Sequence, residues 1–91
     1  MIYHIYILQS EDDGSYYIGQ TNNLDDRLRR HNEGRSNYTR SKRPWKLVYT
    51  EKFDSRKEAV RRETEIKSKK RRAFIEQLIA MNDLKKNFNG S

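Results

Sequence analysis

Two chemically active side chains share a helical stripe with two leucines in the first third of the chain. The four residues recur at positions i, i+3, i+4 and i+7, which a helix turning about 100° per residue places on one face: Leu24, Arg27, Leu28 and His31. The leucines are typical of a core face, whereas a buried arginine without a partner is costly. A guanidinium binds anions, and an imidazole exchanges protons near neutral pH. The stripe therefore predicts a site where an anionic group meets Arg27 and His31.

A carboxylate interrupts a second apolar stripe later in the chain. Ala59, Glu63 and Ile66 lie within an arc of about 60° on a predicted helix. A carboxylate in that place either forms a structural ion pair, for which Arg27 is the partner we consider, or binds a cation. The pattern alone leaves both interpretations open.

Tyrosines stand on both strands of a predicted hairpin. Tyr6 lies in the first strand and Tyr17 in the second, so the two rings could face each other. Buried tyrosine hydroxyls need hydrogen-bond partners. Arg27 and His31 could supply them, which would bring the tyrosines and the helical stripe into one site.

Three strands are predicted from composition and alternation. Residues 2–8 carry apolar side chains on both alternating sets, which predicts a strand covered on two faces and central in its sheet. The polar segment 10–15 is a turn, after which a second strand ends at Gly19. A third strand is expected over residues 46–53, following a basic loop that contains Pro44.

Three helices are predicted from capping residues and apolar spacing. Asn23 and the two polar residues before it are N-cap candidates, and Gly34 marks the end of the first helix. Ser55 and Glu58 form a capping box that opens the second helix. The helices are expected over residues 24–31, 56–69 and 73–81. One α/β domain, of the α+β type, is therefore predicted over residues 1–82, with a flexible tail over residues 83–91.

Composition and charge limit the class of protein. The chain has 91 residues, no cysteine and a formal net charge of +7, with 20 Lys and Arg against 13 Asp and Glu. The absence of cysteine excludes disulfides, thiol catalysis and cysteine-bound zinc. The positive charge favours a polyanionic partner such as nucleic acid, or an anionic membrane surface. The longest apolar run, residues 5–8, is far shorter than the roughly 18 residues of a membrane span, so we expect a soluble, cytoplasmic protein.

Basic side chains cluster in two segments that could follow a nucleic-acid backbone. One is the loop over residues 35–46, which has no acidic residue, and the other is the second helix with the residues just after it. The candidate nucleic-acid-binding residues are Arg35, Arg40, Lys42, Arg43, Arg62, Lys67, Lys70 and Arg71. Within the loop, Tyr38 or Trp45 could stack on an unpaired base, while packing beside Pro44 is the simpler role for Trp45.

The order and spacing of these residues resemble the GIY-YIG nuclease superfamily. The resemblance covers about residues 2–79 and rests on five elements: His4-Ile5-Tyr6, Tyr17-Ile18-Gly19, Arg27 ten residues after Tyr17, His31 four residues further on, and Glu63 on a late helix. It is greatest to small stand-alone members related to the N-terminal, incising domain of UvrC, a DNA repair nuclease.

The resemblance implies a fold, an activity and a set of site residues. The implied fold is a three-stranded antiparallel sheet flanked by helices, and the implied activity is metal-dependent endonucleolytic cleavage of DNA in repair or processing. The implied catalytic residues are Tyr6, Tyr17, Arg27, His31 and Glu63, with Gly19 as the glycine of the second motif. Glu63 is the implied metal ligand, for Mg²⁺ or Mn²⁺. DNA is the implied partner; we expect a monomer with no membrane partner, to which another protein could supply specificity.

Two positions depart from the family pattern, and the proton acceptor remains open. His4 begins the first motif where the family has glycine, which we expect to be harmless. Gln20 follows the second motif where UvrC-type enzymes place a lysine that helps activate the tyrosine, unless Lys67 fills that role. This favours, as an alternative, a DNA-binding module with the nuclease fold and little turnover. Either Tyr17, beside a cation, or His31, an imidazole with an ordinary pKa of about 6.5, could be the general base.

Overall fold

The structure is a computed structural model that describes the backbone of residues 1–89 and the side chains of residues 1–82. In the described part, the elements follow one another in this order: β1 Tyr3–Ser10, β2 Tyr16–Thr21, α1 Leu24–Asn32, a 3₁₀ turn Arg40–Lys42, β3 Trp45–Phe53, α2 Arg56–Ser68 and α3 Arg72–Asn89. The predicted α+β class, with three strands and three α-helices, is confirmed.

The three strands form one antiparallel sheet in the order β2-β1-β3. The central position of β1 agrees with its continuous buried run, Ile5 to Leu8, because a strand covered on both faces cannot alternate between apolar and polar residues. Tyr6 pairs with Gly19 and Leu8 pairs with Tyr17 across the β1–β2 ladder. This register places both tyrosines on the same face of the hairpin, as diagonal neighbours.

The helices cover opposite faces of the sheet. Ile5 packs against Ala59 and Ile66 of α2, and the apolar side chains of α3 join this cluster. Tyr6, which points to the other face, packs in a second cluster with Leu8 and Trp45. Leu24 and Leu28 of α1 lie against this second cluster: the leucines of the predicted stripe are core residues, as expected.

Capping side chains start the first two helices where the sequence predicts. The Asn23 side chain accepts a hydrogen bond from the Asp26 backbone N–H at 3.1 Å, and the Ser55 hydroxyl accepts one from the Glu58 N–H at 3.2 Å. Gly34 adopts a φ of +80° directly after α1, a conformation that glycine adopts at little cost.

Three elements extend at least two residues further than predicted. β1 runs to Ser10, which was expected to begin the turn, because Gln9 and Ser10 still pair with β3. β2 continues past Gly19 to Thr21 because Gln20 and Thr21 still pair with β1 residues, so the prediction that Gly19 closes the strand is wrong. α3 extends to Asn89, and the sequence contains no glycine or proline between residues 72 and 89 that would stop it earlier. The side chains of residues 83–89 and all of residues 90–91 lie outside the described part, so the flexible tail stays a prediction. Within the described residues, none of the helices combines the length and the apolarity that crossing a membrane requires.

Candidate active site

The Tyr6 hydroxyl is the point at which the predicted catalytic side chains meet. It lies 3.2 Å from Nε2 of His31, and the Tyr6 ring centroid lies 6.3 Å from that of Tyr17. Burial raises the pKa of the Tyr6 phenol above its ordinary value, and the neighbouring Tyr17 and Glu63 add to the rise. The positive charge of Arg27 acts in the opposite direction. The other four predicted catalytic residues thus contact the Tyr6 phenol or act on it electrostatically.

Gly19 makes room for this phenol. A Cβ atom at position 19 would lie 2.5 Å from the Tyr6 hydroxyl and 2.6 Å from Cζ of the same ring. Both atoms belong to a buried side chain that packs against neighbours and cannot withdraw freely. The glycine of the second motif is therefore required by close packing inside the strand.

Gly19→Ala is expected to destabilise the protein by about 1–3 kcal/mol, because the added methyl group overpacks the buried Tyr6 ring. Urea unfolding of the two proteins measures the difference. In a Tyr6→Leu background the alanine should cost less, since the opposing ring is gone. A Gly19→Ala protein as stable as the wild type would contradict this account of the glycine.

His31 joins the two tyrosines to the loop that follows α1. Its Nδ1 lies 2.8 Å from Oγ1 of Thr39, and its ring centroid lies 4.7 Å from that of Tyr17. Burial lowers the pKa of the His31 imidazole, and the charge of Arg27 lowers it further. We therefore expect His31 to be neutral at pH 7, with one ring nitrogen carrying a hydrogen and the other free to accept one.

The lowered pKa of His31 predicts a pH-dependent stability. The unfolded chain takes up a proton on this imidazole at its ordinary pKa of about 6.5, while the folded protein does so only at lower pH. The free energy of unfolding should therefore fall as the pH is lowered from about 7 toward 5. Urea unfolding at several pH values should show that the free energy of unfolding depends less steeply on pH in His31→Gln than in the wild type. Equal slopes would contradict the attribution of this pH dependence to His31.

Arg27 lies beside a polar cleft between the N-terminal ends of α1 and α2. The cleft has a volume of about 210 Å³ and is lined by Tyr3, Gln20, Thr21, Asn22, Arg27 and Arg56. The Nε atom of Arg27 is buried and has no hydrogen-bond partner, and Arg27 forms no ion pair, within residues 1–82. A buried donor without an acceptor is costly unless a ligand supplies one. The cleft is therefore a candidate anion site.

Glu63 occupies the face of α2 between the two core residues of that helix. Its side chain is 21% exposed, and one carboxylate oxygen lies 2.6 Å from Nζ of Lys67, one turn further on. The structural ion pair that we considered between Glu63 and Arg27 is not formed. Residues at positions i and i+4 are neighbours on the surface of a helix, so Lys67 reaches Glu63 without help from the packing of other elements.

The chemistry of Glu63 fits a divalent metal ion that is also held by other ligands. Carboxylate oxygen is a donor that Mg²⁺ prefers, and Mg²⁺ sites commonly use one or two carboxylates, with water and substrate phosphates completing the shell. In the described part of the chain, no group of three or more His, Asp or Glu side chains could hold a metal by itself. Among the described residues, Glu63 would therefore be the single protein ligand, and its ion pair with Lys67 would have to break before it bound the metal.

The basic loop presents exposed cations near the end of α1. Arg35 pairs with Glu33 at 3.0 Å, and Lys42 lies 3.7 Å from Asp13. Arg40 bonds to Asn37, and Arg43 donates to the carbonyl oxygen of Arg40 at 2.8 Å. Except for the half-buried Lys42, these side chains are exposed. Their local contacts are of the surface type that a phosphate can replace at little cost.

The basic residues of α2 divide into two groups. Lys67, Lys70 and Arg71 line a cavity beside β2 together with Tyr16 and Ile18, whose side chains alternate with that of Tyr17 and so lie on the opposite face of the sheet. Arg62 instead donates three hydrogen bonds to Glu51 of β3 and pairs with Glu65. These pairs hold α2 against β3, and the expectation that Arg62 binds nucleic acid stays a prediction.

The two aromatic residues of the loop differ in exposure. Trp45 is 3% exposed, and its indole N–H donates to the Thr39 carbonyl oxygen at 2.9 Å. Trp45 is therefore a core residue, in agreement with packing as the simpler of its two predicted roles. Tyr38 is 71% exposed, and its ring centroid lies 6.0 Å from that of Tyr17.

Sequence reasoning missed two residues of the site. Thr39 contacts His31 from the loop, and no periodic pattern relates residues eight apart across a loop. Arg56 shares the cleft with Arg27, although the pattern assigned it only to the positive surface of α2. Both positions follow from how α1, α2 and the loop pack around the sheet.

Comparison with known proteins places the chain among GIY-YIG domains. Residues 2–77 match the family model of the GIY-YIG catalytic domain. The chain is 42% identical over 82 residues to UPF0213 protein BH0048 of Halalkalibacterium halodurans, covering 89% of this chain and 85% of that protein. It is 43% identical over 83 residues to UPF0213 protein CPE1444 of Clostridium perfringens, covering 90% and 87%. The solution NMR structure of the UPF0213 protein BH0048 from Bacillus halodurans superposes with a TM-score of 0.57 at 40% identity, covering 89% of this chain and 85% of that one.

Proposed function

Because this chain belongs to the GIY-YIG family of nuclease domains, we propose that it is a DNA endonuclease that hydrolyses phosphodiester bonds with a divalent metal ion, Mg²⁺ or Mn²⁺. One observation supports this proposal most strongly. Side chains from β1, β2, α1 and α2 converge on the Tyr6 phenol, and Arg27 and Glu63 act on it with opposite charges. A cation, an acid and an imidazole grouped around phenols, with shifted pKa values for Tyr6 and His31, are characteristic of functional sites.

The cleft beside Arg27 would bind the scissile phosphate. Arg27 contributes donors that no acceptor within residues 1–82 satisfies, and Arg56 adds a second guanidinium to the same cleft. Planar guanidinium groups form paired hydrogen bonds to phosphate oxygens. They would hold the phosphate in place and stabilise the charge that develops as water attacks.

Tyr17 is the residue that we assign as the general base. Tyr6 is fully buried and its hydroxyl is bonded to His31, whereas the half-buried Tyr17 hydroxyl has no partner among the described side chains. A phenol works as a base only where a cation favours its phenolate. Arg27, which acts on the adjacent Tyr6, would supply that charge, and Tyr17 would then take the proton from the attacking water.

Glu63 would hold the metal ion at this site. When bound, Mg²⁺ supplies a positive charge that stabilises the oxygen leaving the phosphate. Glu63 must first exchange its contact with Lys67, which makes affinity for the ion weak without DNA. DNA would enter along the exposed cations of the loop and of the α2 end, with Tyr38 available to stack on a base.

A panel of DNA substrates tests the proposal. The purified protein should cut at least one of plasmid, flapped, branched or damaged DNA with Mg²⁺ or Mn²⁺, and stop cutting when a chelator is added. Binding that weakens with salt, but without cutting on any substrate, would instead favour a DNA-binding module with little turnover. The observation that supports this second function is Gln20, a neutral residue in the cleft that Arg27 and Arg56 line.

A further inference from the structure

We propose that Thr39 is a positioning residue that holds His31 in the tautomer with hydrogen on Nδ1, so that Nε2 accepts the hydrogen bond from Tyr6. The kinetic consequence of this inference rests on the proposed nuclease function, whereas the tautomer itself does not. Thr39 lies in the basic loop over residues 35–46, but it is not among the candidate residues that the sequence indicated there.

Thr39 is held in place from two sides. It is completely buried, with 0% of its surface exposed, and its Oγ1 lies 2.8 Å from Nδ1 of His31. Its carbonyl oxygen accepts the indole N–H of Trp45 at 2.9 Å. Trp45 is itself fixed by Asn32, which bonds to both the N–H and the carbonyl of its backbone. The hydroxyl therefore has a fixed position relative to the imidazole.

A neutral His31 could satisfy its two contacts in two ways. In one arrangement, Tyr6 donates to Nε2 and Nδ1–H donates to Thr39; in the other, Thr39 donates to Nδ1 and Nε2–H donates to Tyr6. Each arrangement leaves one buried hydroxyl hydrogen without an acceptor among the described residues: that of Thr39 in the first, and that of Tyr6 in the second. A phenolic O–H is a stronger donor than an aliphatic one, so leaving the phenol unpaired costs more, which favours the first arrangement.

The His31 tautomer with hydrogen on Nδ1 gives Tyr6 and Tyr17 different roles. The Nε2 lone pair of His31 is used by the Tyr6 hydroxyl, so neither group is free to take a proton from water in the resting protein. Tyr17, which packs against the imidazole at 4.7 Å without a hydrogen bond, remains the group available to the water.

Nitrogen-15 NMR of the imidazole tests the tautomer directly, without any nuclease assay. In the wild-type protein above pH 7, two-bond proton–nitrogen couplings should show His31 with a pyrrole-type Nδ1 and a pyridine-type Nε2. Thr39→Val removes the acceptor but keeps the side-chain volume, so the signals should shift toward the opposite tautomer or a mixture. Thr39→Ser keeps a hydroxyl and should retain the wild-type pattern. A pyridine-type Nδ1 in the wild type would overturn the proposal, even if Thr39→Val failed to fold.

Cutting kinetics then test whether the His31 tautomer that Thr39 holds affects the reaction. Thr39→Val should lower kcat about tenfold or more, shift the pH–rate profile and leave KM for DNA nearly unchanged, while Thr39→Ser restores most of the rate. In a His31→Ala background, Thr39→Val should have no further effect, because it acts only through the imidazole. Equal additional losses in both backgrounds would show that Thr39 does not act through His31. If the wild type cuts no DNA, the proposed function fails while the tautomer measurement still decides this inference.

Discussion

Glu63→Gln is expected to reduce DNA cutting by about a thousandfold or more, with little change in fold. The substitution removes the charge that would hold the metal ion, and metal stabilisation of a leaving oxygen is worth several kcal/mol, at about 1.4 kcal/mol per tenfold in rate. The glutamine side chain has almost the same shape as glutamate, so the packing beside Ala59 and Ile66 should stay almost the same. Initial cutting rates at saturating Mg²⁺ would measure the loss.

Two controls isolate the charge of Glu63 from general effects on α2. Glu65→Gln changes the same type of residue on the same helix, at an exposed position that pairs with Arg62, and should keep cutting close to the wild-type rate. Lys67→Met breaks the same ion pair as Glu63→Gln but leaves the carboxylate in place. If Lys67→Met abolished cutting as fully as Glu63→Gln, with folding and DNA binding intact, Lys67 itself would be required, as the partner of Glu63 or as the cation that activates the tyrosine. The loss in Glu63→Gln would then no longer support the metal role of Glu63.

Arg27→Ala is expected to reduce cutting by about a hundredfold to a thousandfold, the range observed when one donor to a developing negative charge is removed. Arg27 is half-buried, but its side chain forms no ion pair and its buried Nε no hydrogen bond within residues 1–82, so the truncation should lower the free energy of unfolding by no more than about 1 kcal/mol. Arg27→Lys should recover only part of the rate, because an ammonium group cannot form the paired contacts of a guanidinium. Single-turnover cutting and urea unfolding measure the two effects.

Arg30→Ala provides the matched control for Arg27. It removes an arginine from the same helix, but one whose exposed side chain pairs with Asp26 at 3.0 Å. Cutting by Arg30→Ala should stay within a few-fold of the wild type. Normal cutting by Arg27→Ala would contradict the assignment of the cleft to the scissile phosphate. A large loss of stability would instead identify Arg27 as a structural residue.

Much of the fold could be predicted from local sequence. β1 was recognisable because apolar residues fill both of its alternating sets, which is characteristic of a central strand. Asn23 and Ser55 marked the starts of α1 and α2, since a cap acts within a few residues of itself. The extent of β2 was not predictable in this way. Its last two residues are strand because β1 lies beside them, and no signal within the segment carries that information.

The site could be predicted only where its members share one element or one family motif. Arg27 and His31 were related by helical period alone, and resemblance to the family joined them to Tyr6, Tyr17 and Glu63. Ion-pair partners were accessible only within one helix. Lys67 lies one turn after Glu63, a spacing that the helical period relates, although Arg27 was the partner considered. The pair between Arg62 and Glu51 was not accessible, because only the packing of α2 on β3 brings those charges together.

The amino-acid sequence by itself determined the elements of this protein, the residues that share a helical face and the family to which it is similar. These depend on contacts between residues close in the chain, or on motifs of fixed spacing. Tertiary structure alone decided that Gly19 accommodates a phenol, that Thr39 contacts His31 and that Arg56 shares a cleft with Arg27. Such pairings join distant segments, and the packing of two helical layers on one sheet selects them from many that the sequence would allow.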